Sequence, residues 1–314
     1  MESIWINGRS IWKWWHFVLV IIIMVGYSIA SMAEEEILVY QQWKNDAVEM
    51  MNQEFVFPNE ITETLMRYIM KCDEKDKITY FDVHNVRSFE INNRSPEEVE
   101  KYLSVLKYFP NLDTVDIQNC GLKEIPYELS KIPITSLYLD GNDLRDISAL
   151  KDMKRLNVLQ LYANNFIEDY SPLAGLSDLK YLSVSMFFNQ DLSAIENCKK
   201  LKQLSINGSF LRVVNGCSYD GGPYCVPLNN IAFLDELPAL EKVSFYHFSE
   251  LSEEAIDQIE NSEIDAEIEI HIYDGEIRNL FDDLTKGING AWLGEGMLRG
   301  LSKEDILSYY RTKE

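Results

Sequence analysis

An apolar pattern recurs every 22 residues in this chain. In ITSLYLDGNDLRDISAL, residues 134–150, Ile134, Leu137 and Leu139 precede Asn142, and Leu144, Ile147 and Leu150 follow it. Leu156, Leu159, Leu161 and Asn164 repeat the first group 22 residues later. Leu112, Val115, Ile117, Cys120 and Leu122 anticipate it by 22. Leu179, Leu182 and Val184 come after a step of 23, and Leu201, Leu204, Ile206 and Leu211 after a further 22. The internal steps mix 2, 3 and 5, so neither one amphipathic helix nor one half-buried strand accounts for them. A fixed period of this length means a solenoid, in which each coil buries its apolar residues against its neighbours.

The residue types say how one coil is built. Leu-x-Leu, as in Leu137-Tyr138-Leu139, is a short strand with both Leu inward. The turn after it must have its backbone groups satisfied. An inward Asn brings an acceptor and two donors on one short side chain, which suits Asn142 and Asn164. DISALKDM and YSPLAGLS then give a return path long enough for a helical turn or a 3₁₀ segment, with Ile147, Leu150 and Leu173 reaching back to the core.

These stretches resemble the leucine-rich-repeat family, L-x-x-L-x-L-x-x-N/C-x-L, and within it the internalin-like bacterial subclass of 22-residue coils. ISAL (147–150), YSPL (170–173) and LSAI (192–195) match that subclass's I-S-P-L segment. The match is good over 112–211 and looser over 78–273. It departs at the Asn position, which holds Cys120, Phe187 and Ser209 in three coils. The resemblance implies an α/β solenoid with a parallel concave sheet and helical N- and C-terminal caps.

The ends read differently. Arg9 and Lys13 precede a run that is almost wholly apolar from Phe17 to Val25, and acids begin at Glu34. Residues 1–33 read as a cleaved signal peptide, on the short apolar centre and Ser31 and Ala33. Alternatively they are a membrane anchor, on the length of Trp14–Ala33 and the edge tryptophans Trp12, Trp14 and Trp15. Either way the positive flank stays inside and the repeats lie outside the cytoplasm. Residues 34–77 read as a helical cap, with Ile61, Leu65, Met66 and Ile69 as a stripe after Pro58 and Asn59. The solenoid is expected over 78–273. Its first strand would be KITYFDVHNV, with Ile78, Phe81 and Val83 inward. SPEEVEKYLSVLKYFP predicts a helix capped by Ser95 and Glu98, with Pro96 at its first position and Val99, Leu103, Leu106 and Tyr102 buried. The period breaks over 212–230, strands return near Val243 and at AEIEIHI (266–272), and 274–314 forms a C-terminal cap or tail.

Charge narrows the partners. Twenty-nine basic residues against 51 acidic ones give a net charge of −22, which argues against nucleic acid, since phosphate binding rests on Lys and Arg. The membrane enters only through the N-terminal segment. No phosphate loop, G-x-S-x-G, H-E-x-x-H or dinucleotide fingerprint occurs in the sequence, so no catalytic residue, metal or cofactor is assigned. Cys217 and Cys225 flank SYDGGPY, whose Asp-Gly-Gly suits a tight reversal. In an oxidising compartment they are expected to form a disulfide.

The family resemblance implies an exported or surface-anchored, non-catalytic binding protein with a protein ligand, a glycan being the second candidate. Two alternatives stand beside it. One is a targeting arm for an enzyme or toxin-associated activity in the tail; the other is a cytosolic repeat protein of the phosphatase-regulatory type. By strand alternation the outward central column is Asp82, Asp116, Tyr138, Gln160, Ser183, Ser205 and Ser244. The next column holds His84, Gln118, Asp140, Tyr162, Ser185, Asn207 and Tyr246, with Tyr181 and Lys242 on the other side. Tyr138, Asp140, Gln160, Tyr162, Tyr181, Ser183 and Tyr246 are the expected ligand contacts, because Tyr with small polar residues is the mixture binding surfaces favour.

Overall fold

The computed structural model describes the backbone of residues 5–6, 9–10, 34–186, 190–214, 217–225, 227–249, 251–262 and 265–272. It describes the side chains of 41–186, 190–208, 227–249, 251–262 and 265–270. The chain divides into two compact units, Met1–Glu63 with Cys72–Asn85 and Thr64–Lys71 with Val86–Glu314. The apolar run Trp14–Ala33, the Phe187 turn and the tail from 273 lie outside the described residues. Among the described residues no helix is long and apolar enough to cross a membrane.

The first unit contains helices α1 (Glu34–Met51) and α3 (Tyr80–Asn85), and α2 (Glu60–Met70) begins in it. Asn59 starts α2 by accepting the Thr62 N–H at 2.9 Å. Thr62 and Met66 are its buried residues, while Ile61, expected inward, is exposed. The expected strand at 78–83 is a helix instead. Thr79 and Asp82 form a capping pair: the Asp82 carboxylate accepts from Thr79 N–H at 2.8 Å and from its hydroxyl at 2.6 Å. That local T-x-x-D arrangement outweighs the β-branched residues around it. Ile78 and Val83 are buried, but Phe81 faces out. Asp82 and His84 therefore leave the sheet columns and sit on α3.

The second unit is built on eight parallel strands. These are β1 (Ser88–Glu90), β2 (Thr114–Asp116), β3 (Ser136–Tyr138), β4 (Val158–Gln160), β5 (Tyr181–Ser185), β6 (Gln203–Asn207), β9 (Lys242–Phe248) and β10 (Glu267–Ile272). They lie in simple order along the sheet, one strand per coil. Phe89, Val115, Leu137, Leu159, Leu182, Leu204, Val243 and Ile268 stand in register down the inner side. All eight are buried. Helix α4 (Pro96–Leu106) follows β1 and carries the expected capping box between Ser95 and Glu98. Its buried residues are Val99, Leu103, Val105 and Leu106.

Among the described residues four return paths are 3₁₀ segments, Ser148–Asp152, Ser171–Gly175, Ser193–Asn197 and Ala232–Glu236, while the coils after β1, β2 and β9 return through the α-helices Pro96–Leu106, Tyr127–Ser130 and Glu253–Asn261. An Asp or Asn opens each 3₁₀ segment. The side chains of Asp146, Asp169, Asp191 and Asn230 accept the N–H two residues on, at 2.7, 2.8, 2.8 and 2.9 Å. The coil corner also repeats. Asn119, Gly141 and Ala163, spaced by 22, all have φ between 56° and 69°.

The Asn ladder is made as its chemistry requires. Asn142 accepts the N–H groups of Cys120 and Leu122 at 3.0 and 3.1 Å. Its amide donates to the carbonyls of Ile117 and Leu139, both at 2.8 Å. Asn164 repeats the pattern against Leu144 N–H, Leu139 O and Leu161 O. Cys120 takes the same place with a weaker donor, its Sγ lying 3.3 Å from Gln118 O and 3.5 Å from Ile91 O.

The break in the period is an antiparallel ribbon of β7 (Ser209–Val214) and β8 (Cys217–Cys225). Its register sets Cys217 opposite Val214 and Cys225 opposite Ser209. A disulfide between them would require the ribbon to bring their Cα atoms within about 7 Å; their side chains are outside those described. Just before the ribbon, Gly208 meets the Phe248 ring so closely that a Cβ would stand 2.6 Å from Cδ1. No larger residue fits there without moving that ring.

Candidate functional site

The sheet has one buried face and one outward face, and the outward face holds the expected contacts. Its central column runs in register as Glu90, Asp116, Tyr138, Gln160, Ser183, Ser205, Ser244 and Glu269. Six of its members are those read from the sequence. Glu90 replaces Asp82, because the first strand lies at Ser88–Glu90 rather than at 78–83, and Glu269 closes the far end. The spacing of Phe89 and Ile91 could have shown this strand, but α4 lengthens that coil and takes it out of the 22-residue frame.

The three tyrosines on successive coils do not form one cluster. Tyr181 pairs with Val158 in the column at the strand starts, and Tyr138 is central. Tyr162 lies in the column past the strand ends, where its carbonyl accepts the Gly141 N–H at 2.8 Å. Tyr181 is 41% exposed, while Tyr138, Gln160, Tyr162, Ser183 and Tyr246 are half-buried. Accessibility varies within the later coils: Ser185, Asn207 and Ser244 are buried, whereas Gln203 is exposed and Ser205 half-buried. The face over β3 to β5 carries all of the expected contacts except Tyr246.

Some polar residues of the face also hold the coils together. Asp140 accepts the Tyr162 N–H at 2.8 Å across one coil, and Ser185 Oγ accepts the Ala163 N–H at 2.9 Å. Asn207 Nδ2 lies 2.9 Å from His247 Nδ1. At the far end Lys242 neutralises the acids, its Nζ lying 2.6 Å from Glu269 and 3.5 Å from Glu267.

The near end is electrostatically different. Burial raises the Asp140 pKa to about 7, against the Tyr162 N–H bond that lowers it, and the Asp116 charge adds to the rise. Burial likewise raises Asp116, the Gln118 hydrogen bond opposes the rise, and Glu90 adds to it. Asp116 Oδ1 is shut off from water and has no hydrogen-bond partner. The sequence placed Asp116 in the outward central column; its half-burial follows from the neighbouring coils, which no local pattern displays.

A pH dependence follows. A carboxyl group whose pKa is higher in the folded state than in the unfolded one stabilises the fold at low pH. That contribution is lost as pH rises through about 7. Asp140→Asn keeps an acceptor for the Tyr162 N–H and removes the charge. It should leave stability unchanged near pH 4 and raise it by about 2 kcal/mol at pH 8, discounting for solvent at a half-buried group. Urea unfolding of both proteins at the two pH values checks this.

Residues 134–175 match the family model described as Leucine Rich repeats (2 copies). Among solved structures, the chain is similar to an internalin C2 from Listeria monocytogenes, at 20% identity and a TM-score of 0.41, over 68% of this chain and 94% of that one. It is similar to an internalin F from the same organism at 19% identity and a TM-score of 0.44, over 69% and 64% of the two chains. A leucine-rich-repeat protein of Leptospira interrogans gives 12% identity and a TM-score of 0.42, over 69% and 59%. A comparison with curated proteins gives no match. With the 22-residue period, one parallel strand per coil and the Asn ladder, the matched segment identifies the repeats of this protein as leucine-rich repeats.

Proposed function

We propose that this protein is an extracytoplasmic, non-catalytic binding protein that holds a protein ligand on the outward face of its repeat sheet. The observation that carries the reading is the outward sheet face, where Tyr138, Gln160, Tyr162 and Tyr181 on β3 to β5 keep exposure outside the apolar core. Tyr presents large area at small entropic cost, and Gln, Ser and Asp supply hydrogen bonds. The N-terminal Arg9 and Lys13 before an apolar run support export, with the repeats on the far side of the membrane.

A photo-crosslinking side chain placed at Gln160 tests the reading in intact cells. The same group at Glu168, an exposed residue on the return path, is the control. A discrete protein adduct from Gln160 and not from Glu168 is expected; adducts from Glu168 alone would overturn the assignment. With the adducted protein in hand, Tyr181→Ala should weaken binding by about 1–2 kcal/mol, as expected for a contact near a hot spot. Calorimetry reads that loss directly.

A further inference from the structure

We propose that a second surface of this protein, the groove beside the starts of β2 and β3, docks an acidic segment of a protein partner through that segment's apolar side chains. The groove encloses about 440 Å³, and Leu103, Leu106, Phe109, Pro110, Ile132 and Pro133 supply its apolar lining. Its charged members are Lys107, Lys131 and Glu128. Leu103, Leu106 and Phe109 belong to the core, while Ile132 is half-buried and Pro133 exposed, so an apolar wall opens to solvent. None of the lining residues stands in a strand, and the groove is thus separate from the outward sheet face.

Charge identifies the occupant. Lys107 Nζ lies 5.3 Å from the centre of the Tyr108 ring, and Lys131 Nζ lies 4.7 Å from that of Tyr127. A ring face holds an ammonium in place without neutralising it. One coil on, Lys154 and Arg155 take the places of Ile132 and Pro133, 22 residues later, and β3 pairs with β4 at that same offset. Among the described residues none of these four cations makes an ion pair, whereas Lys199, Lys200 and Lys202 on a later coil are held by Glu236, Asp178 and Glu241. In a chain of net charge −22, four such cations beside an apolar opening complement acids that flank apolar side chains. They spread over three successive coils, about 10 Å at strand spacing. One carboxylate headgroup cannot span that distance, so the fit is to a peptide segment rather than to a fatty acid.

The probe is the capped peptide Glu-Asp-Leu-Phe-Asp-Glu, titrated into the full chain at low salt, where a net charge of −22 opposes its approach to the rest of the surface. Two control peptides divide the contributions: Gln-Asn-Leu-Phe-Asn-Gln lacks the charge, and Glu-Asp-Gly-Ser-Asp-Glu lacks the apolar side chains. Backbone amide shifts should concentrate between Leu103 and Ile132 and at Lys154 and Arg155. Affinity should fall at least about tenfold with either control peptide and in Lys107→Gln/Lys131→Gln. Lys123→Gln/Arg145→Gln, which removes the same charge beyond the other ends of β2 and β3, should stay within about twofold of the parent. Equal losses in the two double variants, or shifts centred elsewhere, would overturn the proposal. Decanoate binding at these residues while the peptide does not would also overturn it, making the groove a lipid site. Crosslinking from Gln160 reports on the sheet face alone, so the two readings stand or fall separately.

Discussion

Asn142→Ala is expected to destabilise the protein by about 3–5 kcal/mol, although it deletes only an amide. The side chain closes four hydrogen bonds, to Cys120 N–H, Leu122 N–H, Ile117 O and Leu139 O. Asn142 is buried, so its removal leaves those backbone groups without water to replace it. Each orphaned group costs about 1–3 kcal/mol, and partial relaxation keeps the total below the simple sum. Asn142→Asp should fare no better, since its second oxygen would face two carbonyls where the amide donated. Urea unfolding measures both, and a loss below about 1 kcal/mol for the alanine variant would contradict the ladder.

Leu139→Ala should cost a comparable amount, about 2–5 kcal/mol, for a different reason. Leu139 is fully buried between the stacked coils. Its removal forfeits transfer energy and leaves a cavity that neighbouring coils can close only by shifting the sheet. The Leu139 carbonyl also accepts from both Asn142 and Asn164, so a backbone shift there would strain two rungs at once. The expected signature is a lower urea midpoint with an unchanged denaturant slope.

The fold was legible because a repeat states its structure several times. One coil of mixed spacing is ambiguous, but successive coils fix which Leu face inward and which side chains alternate with them. The register confirms that reading from Asp116 to Ser244. It failed at 78–83, where apolar residues were given strand spacing although Thr79 and Asp82 cap a helix. The proposed binding face was half-legible. Alternation puts Tyr138, Gln160 and Tyr181 outward, but the columns they occupy depend on pairing between coils. The buried Asp116 oxygen and the raised Asp140 arise only when coils stack. The row of Asp146, Asp169 and Asp191 was visible at nearly the right period, and its role in starting the 3₁₀ segments could have been read from the Asp-x-Ser spacing.

Tyr181 and Leu182 are adjacent in sequence and opposite in role, one 41% exposed on the sheet face and the other 3% exposed inside. The most direct test is the affinity of Tyr181→Ala for the protein adducted at Gln160, measured well below its melting temperature beside Leu182→Ala under the same conditions. The account predicts that Tyr181→Ala keeps the parent's melting behaviour and binds at least about fivefold more weakly, while folded Leu182→Ala binds as the parent does. Normal binding by Tyr181→Ala with a loss confined to Leu182→Ala would contradict it.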